Sequence, residues 1–95
     1  MSIYDIVEFI PDDSFDFHER GPLTPYDVEL LLNEFLQDSY IAKHNRVLVI
    51  TGKGHKVRPQ VAKLLKHSKY VEHFKPGGYF NGQGGAFEVH LNSKM

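Results

Sequence analysis

The 95-residue sequence predicts an α/β fold, a two-layer sandwich with the element order β-α-β-α-β-β. The unbroken apolar run Val47-Leu48-Val49-Ile50 is typical of a strand that is covered on both faces within a parallel sheet. Residues with helical apolar spacing lie on both sides of this run, and the segment Ala86–Leu91 alternates like a half-exposed strand. Because strands and helices alternate along the chain, crossover connections are expected to place the helices against the sheet.

The chain begins with a predicted arm, residues 1–14, which ends in the turn-forming sequence Pro11-Asp12-Asp13-Ser14. We expect residues 15–95 to form a single domain, because a chain of this length has room for one core. Its first strand is Phe15-Asp16-Phe17-His18. The period-two pattern predicts both phenylalanines on one face and Asp16 with His18 on the other.

A capping sequence marks the start of the first helix. Thr24 is typical of an N-cap, Pro25 suits the first helical position, and Asp27 lies three residues after the cap. Apolar residues at helical spacing predict that this helix runs to about Tyr40. The later elements are the loop Thr51-Gly52-Lys53-Gly54, a basic helix that opens at Pro59, a strand at residues 71–75, a glycine-rich loop at residues 77–85 and the final strand.

The composition excludes several classes of protein. No run of about 18 apolar residues is present, which excludes a membrane span. The acidic start lacks the basic region of a signal peptide, so a cytoplasmic location is expected. The chain has no Cys and therefore neither a disulfide framework nor a thiolate zinc site. No spacing of His and carboxylates predicts metal ligands, and the cofactor stays open, with a divalent ion as one candidate.

Charge is distributed unevenly along the chain, although the formal net charge is only −1. Residues 1–42 hold ten Asp or Glu against one Lys or Arg, whereas residues 43–95 hold ten Lys or Arg against two Asp or Glu. A basic surface of this kind attracts a polyanion, which predicts RNA or DNA as the partner. Solvated helix faces balanced by the acidic half explain the same charges, and the pattern alone leaves both interpretations open.

Two segments carry groups suited to chemistry on a phosphate. The glycines of Thr51-Gly52-Lys53-Gly54 allow backbone N–H groups to approach a phosphate, while Lys53 supplies positive charge. A tight turn explains these glycines equally well, because the full nucleotide-binding pattern is absent. Asp16 and His18 suit an acid–base pair, or else two exposed strand residues. In an open α/β sheet the ends of parallel strands meet, which brings His18 towards the loop.

Three sequence blocks follow one another along the chain: Phe15-Asp16-Phe17-His18, Thr51-Gly52-Lys53-Gly54 and Gly82-Gln83-Gly84-Gly85-Ala86-Phe87-Glu88-Val89. They resemble, in that order, the L-D-[LFV]-H strand, the [TH]-G-x-G loop and the terminal G-x-G-[GA]-strand pattern of the Smr (small MutS-related) domain family, over roughly residues 15–92. The sequence departs from the family where Glu19-Arg20-Gly21-Pro22-Leu23 separates His18 from Thr24. The loop beside His18 is therefore longer than usual and carries an acid.

This resemblance implies a fold similar to the C-terminal domain of translation initiation factor three and an endonuclease that nicks DNA or cleaves RNA. It implies proton transfer by Asp16 and His18, with Lys53 and Arg58 stabilising charge on the scissile phosphate. We expect Asp16, His18 and Lys53 to be catalytic. The residues expected to bind nucleic acid are Thr51, Gly52, Gly54, His55, Lys56, Arg58, Lys63, Lys66 and Lys69.

Two other functions fit the same residues. A non-catalytic RNA-binding or DNA-binding module would use the basic surface without any acid–base pair. A protein-interaction domain would use the acidic half to bind a basic partner. Because Smr domains often occur at the end of larger proteins, a larger protein or the ribosome is a further candidate partner. Cleavage of RNA by its own 2′-hydroxyl would need no metal, whereas attack by water on DNA would favour a divalent ion.

Overall fold

The computed structural model describes residues 10–77 and 84–92, which contain four strands and two α-helices. The strands are β1 (Asp13–Asp16), β2 (Arg46–Ile50), β3 (Val71–Pro76) and β4 (Ala86–Leu91), and the α-helices are α1 (Pro25–Ile41) and α2 (Val57–His67). A short 3₁₀ helix spans His18–Arg20. The predicted fold class and element order are confirmed. Within the described ranges, neither helix is long and apolar enough to cross a membrane.

The four strands form one mixed sheet in the order β1-β2-β4-β3. β1 is parallel to β2, while β4 is antiparallel to both β2 and β3. The expectation of a parallel sheet around β2 is therefore correct on one side only. β4 was expected to be half-exposed, but five of its six residues are buried because it occupies a central position between two strands.

Both helices pack against one face of the sheet. The core contains β2 and β4 residues of that face, with the inward residues of the two helices: Val47, Val49, Phe87, Val89, Leu91, Val28, Leu32, Leu36, Val61 and Leu65. Alternation turns Leu48 and Ile50 to the other face, where they are half-buried and lie outside this cluster. The described part of the chain is thus a two-layer sandwich with one face of the sheet free of helices.

The start of α1 agrees with the prediction. Thr24 Oγ1 accepts a hydrogen bond from the Asp27 N–H, and Asp27 Oδ2 accepts one from the Thr24 N–H, both at 3.1 Å. This capping box satisfies two backbone donors that the helix itself leaves unpaired. α2 begins at Val57, two residues before the predicted start, and Pro59 lies in its first turn, where no intrahelical N–H bond is lost.

The predicted strand Phe15-Asp16-Phe17-His18 is wrong in position. β1 begins at Asp13 because the Asp12 carboxylate accepts the N–H groups of Asn45 and Arg46 at 2.9 and 3.1 Å, which fixes this segment beside β2. These hydrogen bonds lower the pKa of Asp12. Asp13 and Ser14, expected in a turn, are strand residues. Residues 1–9 of the predicted arm and 78–83 of the glycine-rich loop lie outside the described residues.

The helix-free face of the sheet carries several titratable side chains. The rings of His73 and His90 stack with their centroids 4.2 Å apart. The Lys75 ammonium lies 3.9 Å from the carboxylate of Glu88, a residue that is 3% exposed. Burial lowers the pKa of His90, and the positive charges of His73, Lys75 and Arg46 lower it further, against an opposing effect of Glu72. Protonation of His90 therefore opposes folding.

Candidate functional site

The parallel strands β1 and β2 bring His18 against Gly52. Asp16 pairs with Ile50 at the ends of these strands, and the Phe17 N–H donates to the Ile50 carbonyl at 2.8 Å. The chain then turns into the 3₁₀ helix, so His18 follows the strand end directly. A Cβ on Gly52 would lie 2.8 Å from His18 Nδ1, and Gly52 has a φ of +75°. Both the backbone conformation and the imidazole thus favour glycine here.

The Asp16 carboxylate acts on the backbone of the 3₁₀ helix. Asp16 Oδ1 accepts a hydrogen bond from the Glu19 N–H at 3.3 Å. Within residues 10–77 and 84–92, no hydrogen bond joins Asp16 to His18. The period-two pattern placed the two side chains on one strand face, but the strand ends at Asp16. Asp16 therefore holds the turn that carries His18 and does not orient the imidazole by a direct contact.

The loop after β2 is fastened to the residue before β4. The Thr51 and Gly52 N–H groups both donate to the Gly85 carbonyl at 2.9 Å. The Thr51 hydroxyl lies 2.7 Å from the Gly52 carbonyl, and Thr51 is 5% exposed. These two N–H groups are consequently occupied. In the described part of the chain, the Lys53 and Gly54 N–H groups have no protein acceptor, which leaves them available to an anion.

A groove of about 650 Å³ unites much of the predicted site. Its lining combines both segments with the start of α2: Phe17, His18, Gly21, Pro22, Thr51, Lys53, Gly54, His55, Lys56 and Val57. The four residues from Lys53 to Lys56 are exposed, so the ammonium groups of Lys53 and Lys56 are accessible at the rim. The structure thus brings His18 together with Lys53, Gly54, His55 and Lys56, while Asp16 lies outside the lining.

Arg58 is engaged with the protein itself. Its guanidinium lies over the Phe87 ring, 4.1 Å from the centroid, and its Nη1 donates to the Ala86 carbonyl at 3.3 Å. Arg58 is half-buried and absent from the groove lining. These interactions join the first turn of α2 to the start of β4. This is a structural role, which the sequence did not indicate.

The three remaining predicted residues lie away from the groove. Lys63 and Lys66 are on the exposed side of α2, about 9 and 14 Å along the helix from Val57 at the usual rise per residue. Lys69 follows the end of the helix, with its ammonium 5.4 Å from the Tyr70 ring centroid. These lysines are thus exposed basic residues on α2 and just after it, outside the groove lining.

Sequence reasoning missed the apolar part of the groove. Gly21 and Pro22 belong to the longer loop after His18, and both line the groove together with the buried Phe17. The length of this loop was the signal that it borders the site. Across residues 10–77 and 84–92, no group of three or more His, Cys, Asp or Glu side chains is arranged to hold a metal ion.

Comparison with known proteins identifies relatives of this chain. The family model described as Smr domain matches residues 16–92. A segment of 76 residues is 40% identical to part of the protein named Endonuclease MutS2 from Caldanaerobacter subterraneus subsp. tengcongensis, covering 79% of this chain and 10% of that protein. The chain thus spans about a tenth of the length of this curated relative.

Two solved structures share the fold. The Smr domain of Thermus thermophilus MutS2 matches with a TM-score of 0.76 and 22% identity, over 84% of this chain and 98% of that one. YdaL, a stand-alone small MutS-related protein from Escherichia coli, matches with a TM-score of 0.72 and 27% identity, over 82% of this chain and 63% of that one. The two-layer architecture is therefore common to these domains.

Proposed function

Because the chain belongs to the Smr domain family, we propose that it binds nucleic acid and cleaves the phosphodiester backbone as an endonuclease. The observation that carries this proposal is the His18 imidazole packed against Gly52 in a groove with a cationic rim. An imidazole beside positive charge and unpaired N–H groups provides proton transfer and anion stabilisation in one place. The relative named as an endonuclease supports the same activity.

The groups of the groove divide the chemistry between them. His18 transfers a proton to or from an oxygen of the scissile phosphate. Lys53 and the N–H groups of Lys53 and Gly54 stabilise the negative charge that develops on the phosphate oxygens. Asp16 is a positioning residue, since its carboxylate holds the 3₁₀ helix that begins with His18.

The proton balance is the same for either nucleophile. With RNA, the 2′-hydroxyl loses its proton to a base and attacks phosphorus, and the 5′-oxygen leaves with a proton from an acid. With DNA, water attacks in place of the hydroxyl. His18 serves one of these two proton transfers. The proposed partner is RNA or DNA, and the proposed location is the cytoplasm. Residues 15–95 would act as one domain, either alone or within a larger protein or ribosomal complex.

The second candidate function is a non-catalytic nucleic-acid-binding module. It is favoured by one observation: the described residues offer no carboxylate hydrogen-bonded to His18 to fix its orientation. The exposed Lys63 and Lys66 suit such a module equally well. The two candidates differ in what His18 does.

The test is His18→Ala, with His67→Ala as a matched control. His67 is an exposed histidine at the end of α2, outside the groove. Cleavage of labelled single-stranded RNA and supercoiled DNA is measured with binding affinity on the same probes. We expect His18→Ala to slow cleavage by about 10²- to 10⁴-fold while affinity changes by less than about twofold. Wild-type cleavage by the folded variant would refute the catalytic role, and binding without cleavage by the wild-type protein would establish the module.

A further inference from the structure

A second groove adjoins the first one and lies between the starts of the two helices. It has a volume of about 460 Å³ and is lined by Leu23, Pro25, Val28, Lys56, Val57 and Gln60. Lys56 and Val57 line both grooves, so the two depressions adjoin each other. A strand that places one phosphate beside His18 therefore has the second groove next to it.

The walls of the second groove are chiefly hydrocarbon. Leu23, Pro25 and Val28 supply apolar surface from the start of α1, and Val57 supplies it from α2. Besides Lys56, the polar side chain of this lining is Gln60, whose amide donates to the Pro25 carbonyl at 2.7 Å and so links the two helices. Pockets of about 300–1,000 Å³ with mainly apolar linings and a few polar groups commonly hold small organic groups.

The charge around the second groove indicates which kind of organic group would bind there. The exposed Lys56 stands where the two grooves meet, and the first groove adds Lys53. An occupant that spans both grooves therefore carries negative charge beside an apolar face. A nucleotide has this combination, since its base presents flat apolar faces and its backbone carries a phosphate.

We propose that the second groove binds the base of the nucleotide next to the phosphate at His18, and that the domain consequently acts on unpaired strands. The inference rests on the proposed function and adds the substrate class. A base inside a duplex is stacked on both faces and must leave the stack to enter a groove. Duplex nucleic acid therefore reaches the cationic rim but leaves the second groove empty.

The first experiment measures the affinity of the wild-type full chain for a single-stranded 12-nucleotide RNA. The RNA is 2′-O-methylated and the buffer contains EDTA, and together these prevent cleavage. Each probe of a series has one abasic position, at a different place in the strand. We expect the probe to bind about fivefold more weakly when the abasic position falls in the second groove, because the apolar contact between the base and the groove wall is lost. A blunt duplex of the same sequence should bind without this contribution to affinity, because its bases remain stacked. Equal affinity for all abasic probes, or binding of the duplex as tight as that of the single strand, would overturn the inference.

The second experiment couples the base to the groove wall. In Leu23→Ala, the loss of affinity caused by the abasic position in the second groove should shrink towards onefold, because the base and the Leu23 side chain contact each other in the proposed complex. Leu30→Ala, an exposed leucine on the outer side of α1, is the control in which the penalty stays. A penalty that persists in Leu23→Ala would place the base elsewhere. Failure of every probe to bind would instead refute the proposed function itself.

Discussion

Replacing Gly52 with alanine perturbs the contact on which the proposed site depends. The new Cβ would lie 2.8 Å from His18 Nδ1, about 0.6 Å inside the 3.4 Å at which ordinary van der Waals contact begins. His18 is an exposed side chain, so its ring turns away more easily than the backbone of β2 moves. Gly52→Ala therefore displaces the imidazole while leaving the fold in place.

Two separate magnitudes follow from this geometry. The positive φ of Gly52 makes alanine unfavourable by about 1–2 kcal/mol, which lowers the free energy of unfolding. Displacement of a reacting group by about 1 Å slows an enzyme by about 10²-fold, so cleavage should fall by about 10- to 100-fold. Stability and activity thus change by amounts that are measured independently.

Urea unfolding gives the stability change, and single-turnover cleavage gives the activity change. Gly84→Ala is the matched control, because Gly84 also has a positive φ, +99°, but a Cβ there meets nothing within 4 Å. It should lose a similar amount of stability and keep its cleavage rate. If Gly52→Ala cleaves like Gly84→Ala, the position of the His18 ring does not matter to the reaction. The proposed role of His18 would then be refuted.

Three further predictions concern other parts of the molecule. The double substitution Lys63→Gln and Lys66→Gln should weaken the salt dependence of nucleic-acid binding. The slope of log affinity against log salt concentration should fall by about 0.7–0.9 for each phosphate that the protein no longer neutralises. An unchanged slope would show that both lysines are only solvated surface residues. Arg58→Ala should lower the free energy of unfolding by about 2 kcal/mol, measured in urea, because the variant has neither the guanidinium on the Phe87 ring nor its charged hydrogen bond, and Arg58→Lys should recover only part of this stability. Because the pKa of His90 is lowered from 6.5 on folding, the unfolded chain binds more protons below neutral pH, so stability should decrease as pH falls through 6.5 towards the lower folded value. His90→Gln should flatten this decrease in the urea midpoint, and an unchanged pH profile would contradict the assignment.

Local signals were enough to predict the helices of this fold. Thr24 and Asp27 cap α1 through bonds between residues three apart, and such bonds depend little on the rest of the chain. The end of β1 was mispredicted because the alternating sequence continues to His18 while the backbone turns after Asp16. The turn depends on Asp16 capping the N–H of Glu19, a role that period-two patterning does not reveal.

The candidate site was predictable only in part for a similar reason. His18 and Lys53 belong to blocks with a characteristic sequence, and the ends of parallel strands brought them to one groove. Arg58 has the chemistry of a phosphate ligand, but its partner Phe87 lies 29 positions further along the chain. The central place of β4 likewise follows from pairing between distant strands, which the local pattern of Ala86–Leu91 did not indicate.

The central position of β4 also sets the order in which the molecule can be completed during translation. Of the described strands β4 is the last to be synthesised, yet it alone joins β2 to β3, which do not pair with each other. The Gly85 carbonyl that holds Thr51 and Gly52 arrives at the same moment as β4. A nascent chain that stops before this point therefore lacks both the strand that joins β2 to β3 and the carbonyl that holds the loop of the proposed site.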